Sequence, residues 1–260
     1  MPKFEPFDWY ENPLYYDVIF DVDTETEASF VEAVYDRYVK TRGRRMLEPA
    51  CGSGRLVAAM TRRGFKVTGF DLSQAMLQFA RQRLRQKHLK ACLVEARLES
   101  FSFAAKFDIA HCLVSTFKYL LSEKAARSHL QRIADALKPG GVYVLGLHLT
   151  DYDDRARSRE RWLGSRGRTR VICNIQSWPA DRRKRTEHVR SRLIVRCDND
   201  VQRYETHWTF RSYNLSQLKS LLRSVPQLEH VATYDFSHDI ECPIAFDGTQ
   251  LDTVLILRRR

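Results

Sequence analysis

The feature that most constrains the fold is a strand-turn-helix signature at residues 45–56, Arg-Met-Leu-Glu-Pro-Ala-Cys-Gly-Ser-Gly-Arg-Leu. An apolar step leads into Glu48, then into a turn of small residues, and then into an apolar helical run that begins at Leu56. Glycine at positions 52 and 54 permits positive φ and lets a ligand approach the bare backbone. The first amides of the following helix would face that ligand. The stretch therefore predicts a ligand-binding turn between a buried strand and a helix.

Three kinds of ligand turn are candidates for this stretch. A P-loop requires a Gly-Lys-Ser/Thr ending, which is absent. A dinucleotide fingerprint requires a third glycine three residues after the second, where Val57 stands. The stretch instead resembles motif I of the class I S-adenosylmethionine (SAM)-dependent methyltransferases, and the resemblance extends over roughly residues 15–150. It implies that the methionine part of SAM lies on a turn formed by Glu48, Ala50, Cys51, Gly52, Gly54 and Arg55.

A second carboxylate, Asp71, ends the next predicted strand, 23 residues after Glu48. A carboxylate at the end of strand two can accept both ribose hydroxyls of an adenosine, as it does in dinucleotide binders. A helix cap is the alternative role for this side chain. The run from Asp71 to Leu77 is similar to the methyltransferase pattern Asp-x-Ser-x-x-Met-Leu. The similarity implies cofactor contacts at Leu72 and Met76, with the methionine near the adenine.

The adenine contact departs from the family pattern. The third predicted strand, residues 91–96, lacks the Asp that the family usually places there to bond the adenine amino group. One alignment puts Arg97 at that position with Leu98 after it, and a shift of two residues puts Glu95 there. Because arginine has only hydrogen-bond donors, it cannot accept from an amine. Glu95 or a backbone carbonyl would then take this role.

The loop after the fourth predicted strand, residues 107–114, faces the transferred methyl group in class I folds. Ser115 and the aromatic residues after it resemble the small-molecule N- and O-methyltransferase version of this loop. The Asn/Asp-Pro-Pro-Tyr/Phe loop of amino-directed DNA and RNA methyltransferases is absent. The resemblance implies cofactor contacts at Leu113 and Ser115 and places Tyr119 near the acceptor.

Two further segments carry the resemblance. Leu-Lys-Pro-Gly-Gly at residues 137–141 precedes the fifth predicted strand, which ends near His148. His148 is a candidate general base or amine-orienting group, although a hydrogen-bonded histidine at a strand end is an equal alternative. The aromatic segment 14–20 is similar to an arm that folds over bound SAM, which makes Tyr16 a candidate cofactor contact. Simple packing of this arm on the core is the alternative.

Strands that alternate with helices predict an α/β fold with a doubly wound, Rossmann-like seven-stranded sheet. After strand five, alternating segments predict a three-stranded antiparallel β insert that lies over the site as a lid, acceptor or dimer element. We expect four regions. They are an N-terminal aromatic arm and helix that cover the cofactor site (1–44), a SAM-binding core (45–150), the insert (151–212), and a closing helix with the last two strands (213–260).

Composition restricts the setting. The chain has no run of about 18 uncharged apolar residues, so we expect no membrane-spanning helix. Its N-terminus is unlike a signal peptide. The six cysteines are scattered without a Cys-x-x-Cys pair, which argues against a zinc ribbon or a disulfide framework. We expect a cytoplasmic protein with no metal site.

The net charge of +11 is uneven, because residues 151–212 hold 16 Lys and Arg against 9 Asp and Glu. The surplus is compatible with an anionic partner such as RNA. The arginines are spread along the sequence and no aromatic-basic motif accompanies them, which favours a solvated surface. A nucleic-acid partner is therefore not the favoured interpretation, and a homodimer remains open.

The sequence thus predicts a SAM-dependent methyltransferase that releases S-adenosylhomocysteine and methylates a small molecule, an amine in preference to a hydroxyl. The methyl group of SAM is already activated, so an amine needs only a free lone pair, whereas a hydroxyl needs a base. Collinear positioning of the reacting atoms supplies much of the rate. Two alternatives stay open: an RNA-directed methyltransferase that docks through the basic insert, and a SAM-binding module without turnover.

Overall fold

Residues 3–260, the part of the chain that the computed structural model describes, form two β-sheets and six α-helices. The larger sheet has seven strands, which pair side by side in the order β11 (Leu228–Tyr234), β12 (Asp252–Arg259), β6 (Leu137–His148), β5 (Phe107–Cys112), β2 (Arg45–Pro49), β3 (Lys66–Asp71) and β4 (Cys92–Glu95). The five strands from β6 to β4 run parallel, and β12 and β11 add antiparallel partners at one edge. This topology confirms the predicted Rossmann-like seven-stranded sheet.

Helices cover both faces of this sheet, because each carries an apolar side that must be buried. The six helices are α1 (Pro13–Phe20), α2 (Thr24–Tyr38), α3 (Arg55–Arg62), α4 (Gln74–Gln86), α5 (Glu123–Ala136) and α6 (Leu215–Arg223). Helices α5 and α6 pack on one face through residues such as Leu130 and Leu218. Helices α2, α3 and α4 pack on the other through Val31, Val57 and Leu77. Among the described residues, no helix combines the length and apolarity needed to cross a membrane.

The strand order reverses between β2 and β5. From β2 the chain proceeds outward to β3 and β4, then returns to β5 on the other side of β2 and continues to β6. In open α/β sheets, ligands bind in the crevice outside the carboxyl ends of the strands at such a switch point. The turn after β2 and the loop after β5 both open into this crevice.

The insert is larger than the sequence predicts. Within residues 151–212 the structure has four antiparallel strands in place of the expected three: β7 (Ser158–Arg166), β8 (Thr169–Ser177), β9 (Thr186–Cys197) and β10 (Asp200–Arg211). Strand β7 escapes prediction because its inward positions are Ser158, Glu160, Trp162 and Gly164, which give almost no apolar alternation. It pairs with β8 through a hairpin that turns at Gly167, a glycine with positive φ.

The N-terminal arm joins the two sheets. Strand β1 (Glu5–Pro6) adds a parallel fifth strand to the insert sheet beside β10, and the following helix α1 lies on β7 and β8. Trp9, Val18 and Ile19 form a separate core with insert residues such as Cys173 and Leu193. The first two residues of the predicted 1–44 region lie outside the described part of the chain. The arm therefore covers the carboxyl edge of the main sheet with the insert behind it.

Candidate functional site

The turn after β2 has the conformation that its small residues allow. Ala50, Gly52 and Gly54 all have positive φ, at 51°, 50° and 70°. The amide of Cys51 donates to the carbonyl of Phe70 at 2.9 Å, which ties the turn to strand β3. Helix α3 then begins at Arg55 with its amino end towards the crevice. The turn can therefore present backbone amides to a ligand, as the sequence predicts.

The two glycines of the turn have different surroundings. A Cβ on Gly54 would lie 2.6 Å from the Cβ of Ala80, so this position is closed by the packing of α4. A Cβ on Gly52 would point instead towards the Tyr16 ring at 3.6 Å, on the crevice side. Gly52 is thus the glycine that leaves room for a ligand. Gly54 instead allows helices α3 and α4 to pack closely together.

Asp71 lies at the end of β3, next to the turn. One carboxylate oxygen accepts from the amide of Gly52 at 2.8 Å, and the other accepts from the amide of Ser73 at 2.8 Å. Burial raises the pKa of Asp71, while the backbone amides of Ser73 and Gly52 act in the opposite direction. Each oxygen keeps a second lone pair, so the two are free to accept hydroxyl protons. The cap of α4 is the hydroxyl of Ser73, which accepts from the amide of Met76, so Asp71 is not the helix cap.

Glu48 is buried beneath the turn and incompletely paired. Its Oε2 has no hydrogen-bond partner among residues 3–260, and the nearest basic nitrogen is Nε2 of His111, 3.7 Å away and also unpartnered. Burial raises the pKa of Glu48 to about 8, and burial lowers the pKa of His111 to about 3. Buried carboxyl oxygens without partners are rare in folded proteins, and a cationic donor would satisfy this one. A cavity of about 30 Å³ reaches both side chains.

Arg55 is committed to a different partner. It forms a buried ion pair with Glu27 of helix α2 at 2.5 Å and donates to the hydroxyl of Thr24 at 3.3 Å. Burial opposes its charge, and the Glu27 carboxylate more than compensates, so the pKa of Arg55 is raised. The predicted cofactor residue Arg55 therefore fastens the arm region to the first core helix, and it also lines the small cavity beside Glu48.

The arm lies over the turn. The carbonyl of Tyr10 accepts from the hydroxyl of Ser73 at 2.9 Å, and Asp17 accepts from the hydroxyl of Ser53 at 2.6 Å. The hydroxyls of Tyr10 and Tyr119 lie 2.6 Å apart, which joins the arm to the loop after β5. Burial raises the pKa of Tyr16 and of Tyr119, so both phenols are neutral near pH 7. The structure thus brings Tyr16 and Tyr119 to the crevice, as the sequence predicts.

The residues predicted to contact adenine are more dispersed. Arg97 is 61% exposed and pairs with Glu99 at 3.8 Å. Glu95 is hydrogen-bonded to Gln74 at the start of α4, while Leu98 packs partly buried on the main core. Leu72 is 53% exposed beside the end of β3, and Met76, in the first turn of α4, is fully buried. Leu72, Glu95 and Arg97 are therefore the predicted residues with free surface near this end of the crevice.

A second, larger cavity of about 720 Å³ adjoins the turn and extends to the insert sheet. Leu113, Val114 and Tyr16 line both this cavity and the small one, so the two are neighbours. Val114 and Ser115 both adopt positive φ, which bends the loop after β5 so that the Ser115 hydroxyl accepts from the amide of His148 at 3.1 Å. The volume is typical of small-molecule sites.

His148 and Asp252 face the large cavity from neighbouring strands. They occupy directly paired positions of β6 and β12, and Nδ1 of His148 lies 2.5 Å from a carboxylate oxygen of Asp252. With Nδ1–H donating to Asp252, Nε2 of the ring is left as the acceptor. The sequence predicts His148 as a base, but it gives no sign of Asp252, because that partner is 104 residues away along the chain.

The polar lining of the large cavity is mainly acidic. Its carboxylates are Asp23, Glu27, Glu160, Glu187 and Asp252. Lys118, almost fully buried, is paired with Glu187 at 2.9 Å. Sequence reasoning missed this ion pair, since Glu187 belongs to the insert and Lys118 to the loop after β5.

Aromatic rings supply most of the remaining wall. They come from the arm, the loop after β5, the insert and the end of the main sheet: Trp9, Tyr10, Tyr16, Phe20, Tyr119, Trp162, Trp208, Phe210 and Phe236. Trp208 also packs edge-on against Trp9, so it serves the arm–insert core as well as the cavity. The cavity is therefore a largely aromatic chamber with carboxylates and the imidazoles of His148 and His238 in its walls. Within residues 3–260, no group of three or more His, Cys, Asp or Glu side chains is arranged to hold a metal ion.

Comparison with known proteins agrees with this geometry. Residues 46–141 match a family model described as a methyltransferase domain. This segment contains the glycine turn, Asp71 and the loop after β5. These residues of the chain are therefore similar to a methyltransferase domain. The prediction made from motif I and the later strands is thereby confirmed.

A curated relative matches this chain over about half of its length. A putative methyltransferase of Geobacillus sp. (strain WCH70) is 29% identical over 122 residues, which are 47% of this chain and 49% of that protein. The chain thus spans about half the length of this curated relative.

Among solved structures, a SAM-dependent methyltransferase from Clostridium acetobutylicum has a TM-score of 0.75 at 18% identity and covers 94% of this chain and 96% of its own. A SAM-bound amino pentose methyltransferase from Micromonospora echinaspora has a TM-score of 0.72 at 19% identity and covers all of both chains. At these identities the two likenesses show the fold. Both structural similarities extend beyond residues 46–141 to the arm and the insert.

Proposed function

We propose that this protein transfers the methyl group of SAM to the nitrogen of a small cationic amine and releases S-adenosylhomocysteine. When bound, SAM supplies a methyl group already activated by the sulfonium. The observation that carries the proposal is the acidic, aromatic chamber with the His148–Asp252 pair, which opens beside the glycine turn. The SAM-bound structure neighbour named as an amino pentose methyltransferase is consistent with such an acceptor.

Three side chains of the turn fit the cofactor. The unpartnered Oε2 of Glu48 can accept from an α-ammonium group. Gly52 leaves its crevice side open, and Asp71 has lone pairs left for ribose hydroxyls. Leu72 and Glu95 provide the free surface at the adenine end. Arg97 cannot accept from the adenine amino group, because it carries donors only.

The chamber selects a cation. An ammonium group is stabilised by nearby carboxylates and by the faces of aromatic rings within about 6 Å. Glu160 and Asp252 line the chamber from different sheets, on β7 and β12. Lys118 does not offset them, because its charge is already neutralised by Glu187. A neutral alcohol would gain no charge–charge attraction from these carboxylates, which favours an amine over a hydroxyl.

His148 prepares the acceptor. A protonated amine has no lone pair to donate, so one proton must leave before transfer. Nε2 of His148 accepts that proton, and Asp252 stabilises the resulting imidazolium through Nδ1–H. The nitrogen lone pair then attacks the methyl carbon as the carbon–sulfur bond breaks, with the ring holding the amine in line. The arm excludes water through the Tyr10–Tyr119 contact.

Two measurements test the proposal in sequence. Calorimetric titration with SAM and with S-adenosylhomocysteine should show binding of both, and absence of binding by either would overturn it. An acceptor screen should then use matched pairs of small molecules that differ only in an amine or a hydroxyl at one position. Turnover confined to the amines supports the assignment. Turnover of the alcohols alone would retain methyl transfer and overturn the amine preference.

A further inference from the structure

The insert sheet has an outer face of unusual charge. Positions alternate along each strand, so the residues next to those that line the chamber point away from it. Seven arginines occupy this side, which we call the arginine face: Arg159, Arg161, Arg170, Arg190, Arg192, Arg196 and Arg203. The spread-out arginines of the sequence are therefore gathered on one surface by the fold.

Strand register sets these arginines in rows with side-chain amides between them. Arg159 pairs across the sheet with Gln176, which pairs with Arg190. The adjacent row is Arg161, Asn174 and Arg192 in the same order.

A third row brings two like charges together. Arg170 lies directly opposite Arg196, an arrangement that destabilises a sheet in isolation. The face is therefore a flat array of hydrogen-bond donors and amides with concentrated positive charge.

The chain itself neutralises little of this charge. Among the described residues, Glu205 is the one acid on the arginine face, and it pairs with Arg192 at 2.6 Å and with Arg190 at 3.9 Å. In the same part of the chain no salt bridge forms at five of the seven arginines: Arg159, Arg161, Arg170, Arg196 and Arg203. The positive potential therefore remains directed outward.

We propose that the arginine face docks single-stranded RNA. Phosphate oxygens are contacted by Arg, Asn and Gln side chains, and guanidinium planes and amides can also meet unstacked bases and 2′-hydroxyls. Protein–protein interface cores combine arginine with aromatic residues and methionine, and the outward strand positions here hold no Phe, Trp, Tyr or Met, which argues against an acidic protein. A second copy would oppose arginines to arginines. Amphipathic membrane surfaces present a large apolar side, whereas the aliphatic row here, which includes Leu163 and Ile172, is narrow.

This docking surface is separate from the acceptor chamber. Inward residues such as Trp162 and Glu187 line the chamber, while the arginines lie on the opposite side of the same strands. RNA bound there is thus a docking partner rather than the methyl acceptor. The inference extends beyond the proposed activity and does not depend on it.

The experiment measures fluorescence anisotropy of a labelled mixed-sequence RNA of about 20 nucleotides with the full-length protein. The face variant carries Arg159→Gln, Arg161→Gln and Arg170→Gln. The control variant carries Arg85→Gln, Arg127→Gln and Arg132→Gln, three exposed arginines of helices α4 and α5 with the same loss of charge. We expect the face variant to bind more than about tenfold more weakly near 150 mM salt, with a salt slope reduced by about 2. The control should stay within about twofold of the wild type.

Four results would overturn the proposal. They are no RNA binding by the wild type even at about 50 mM salt, equal weakening by both triple variants, equal affinity for DNA of the same sequence, and binding of phosphatidylserine vesicles without binding of RNA. Circular dichroism and SAM titration of both variants check that they fold. Neither variant alters a residue of the turn or the chamber, so loss of RNA binding with SAM binding retained would locate the effect on the face.

Discussion

Oε2 of Glu48 lies 3.7 Å from Nε2 of His111, and both atoms are buried without a hydrogen-bond partner among the described residues. Burial holds the carboxyl group protonated up to about pH 8 and keeps the imidazole neutral down to about pH 3. The pair is thus uncharged at neutral pH before a ligand arrives. A cation placed on Glu48 would favour its ionised form, which couples cofactor binding to release of a proton.

SAM affinity should therefore depend on pH. Below about pH 8 the binding of an ammonium must expel the Glu48 proton, so the dissociation constant should rise by up to about tenfold for each unit of pH decrease. Above that pH the affinity should level off. Glu48→Gln should bind SAM weakly and without this slope. Calorimetric titration with SAM between about pH 6 and about 9 measures this pH dependence of the dissociation constant. Asp252→Asn is the control and should retain the slope. A flat wild-type profile would remove Glu48 from the cofactor site.

In the ligand-free protein, a rise in pH should lower the free energy of unfolding, whereas it strengthens SAM binding. The folded-state pKa of Glu48, about 8, exceeds the ordinary glutamate value of 4.5, so the folded state binds the proton more tightly. Stability is thus lost as pH rises from about 4.5 to about 8, by up to about 1.4 kcal/mol per unit. Glu48→Gln should therefore be the more stable protein at about pH 8, by about 4–5 kcal/mol in urea unfolding. An equally stable or less stable variant would contradict this account.

The two glycines of the turn should separate binding from folding. Gly54→Ala forces a Cβ to within 2.6 Å of Ala80 at a φ of 70°, so it should lower unfolding free energy by about 2–4 kcal/mol. Gly52→Ala meets no contact closer than the Tyr16 ring at 3.6 Å, so it should fold with a loss of about 1–2 kcal/mol and bind SAM weakly. Urea unfolding and SAM titration of both variants check this. If both variants lose SAM affinity in proportion to their loss of unfolding free energy, neither glycine touches the ligand.

Asp71→Ala should weaken SAM binding by about 2–3 kcal/mol, the value of charge-assisted hydrogen bonds. Ser73→Ala is the matched control, because it removes the α4 cap that receives the Met76 amide and one donor to the arm at the Tyr10 carbonyl, and it leaves the carboxylate in place. The control should cost about 1 kcal/mol of stability and change SAM affinity little. If the two variants weaken SAM equally, Asp71 acts on the turn rather than on the ribose.

Replacing His148 by Gln should lower kcat by about 10²–10⁴-fold with SAM affinity unchanged, since the ring acts on the acceptor. Asp252→Asn should lower kcat less, because it removes the partner of Nδ1 and leaves Nε2 in place. The rate deficit of both variants should shrink at high pH, where the amine loses its proton to solvent. A deficit that is constant with pH would make His148 a positioning residue only.

Glu160→Gln should raise KM for cationic acceptors about tenfold without changing the SAM dissociation constant. Glu160 lines the chamber and is exposed, so the change should leave stability nearly unaltered. A neutral analogue of the same acceptor serves as the comparison and should show the same KM with both proteins. A similar rise in KM for the neutral analogue would indicate that the substitution changes the shape of the chamber rather than its charge.

Much of the core could be predicted from local sequence. The glycine turn, Asp71 at a strand end and Leu-Lys-Pro-Gly-Gly before an apolar strand each combine composition with periodicity, so they report structure within a few residues. The seven strands of the main sheet follow from these signals. Strand β7 does not, because a serine, a glutamate and a glycine on its inward side hide its alternation, and Gly164 is required by the approach of Val18 from the arm.

The sequence by itself determined the fold class, the cofactor turn and the identity of His148, Tyr16 and Tyr119 as candidate site residues, because each lies in a short segment with its own physical signature. Only the tertiary structure joined Asp252 to His148 and Glu187 to Lys118. It also gathered the arginines of the insert on one face. Contacts between distant segments depend on strand register and on helix packing, and neither is written in any local pattern.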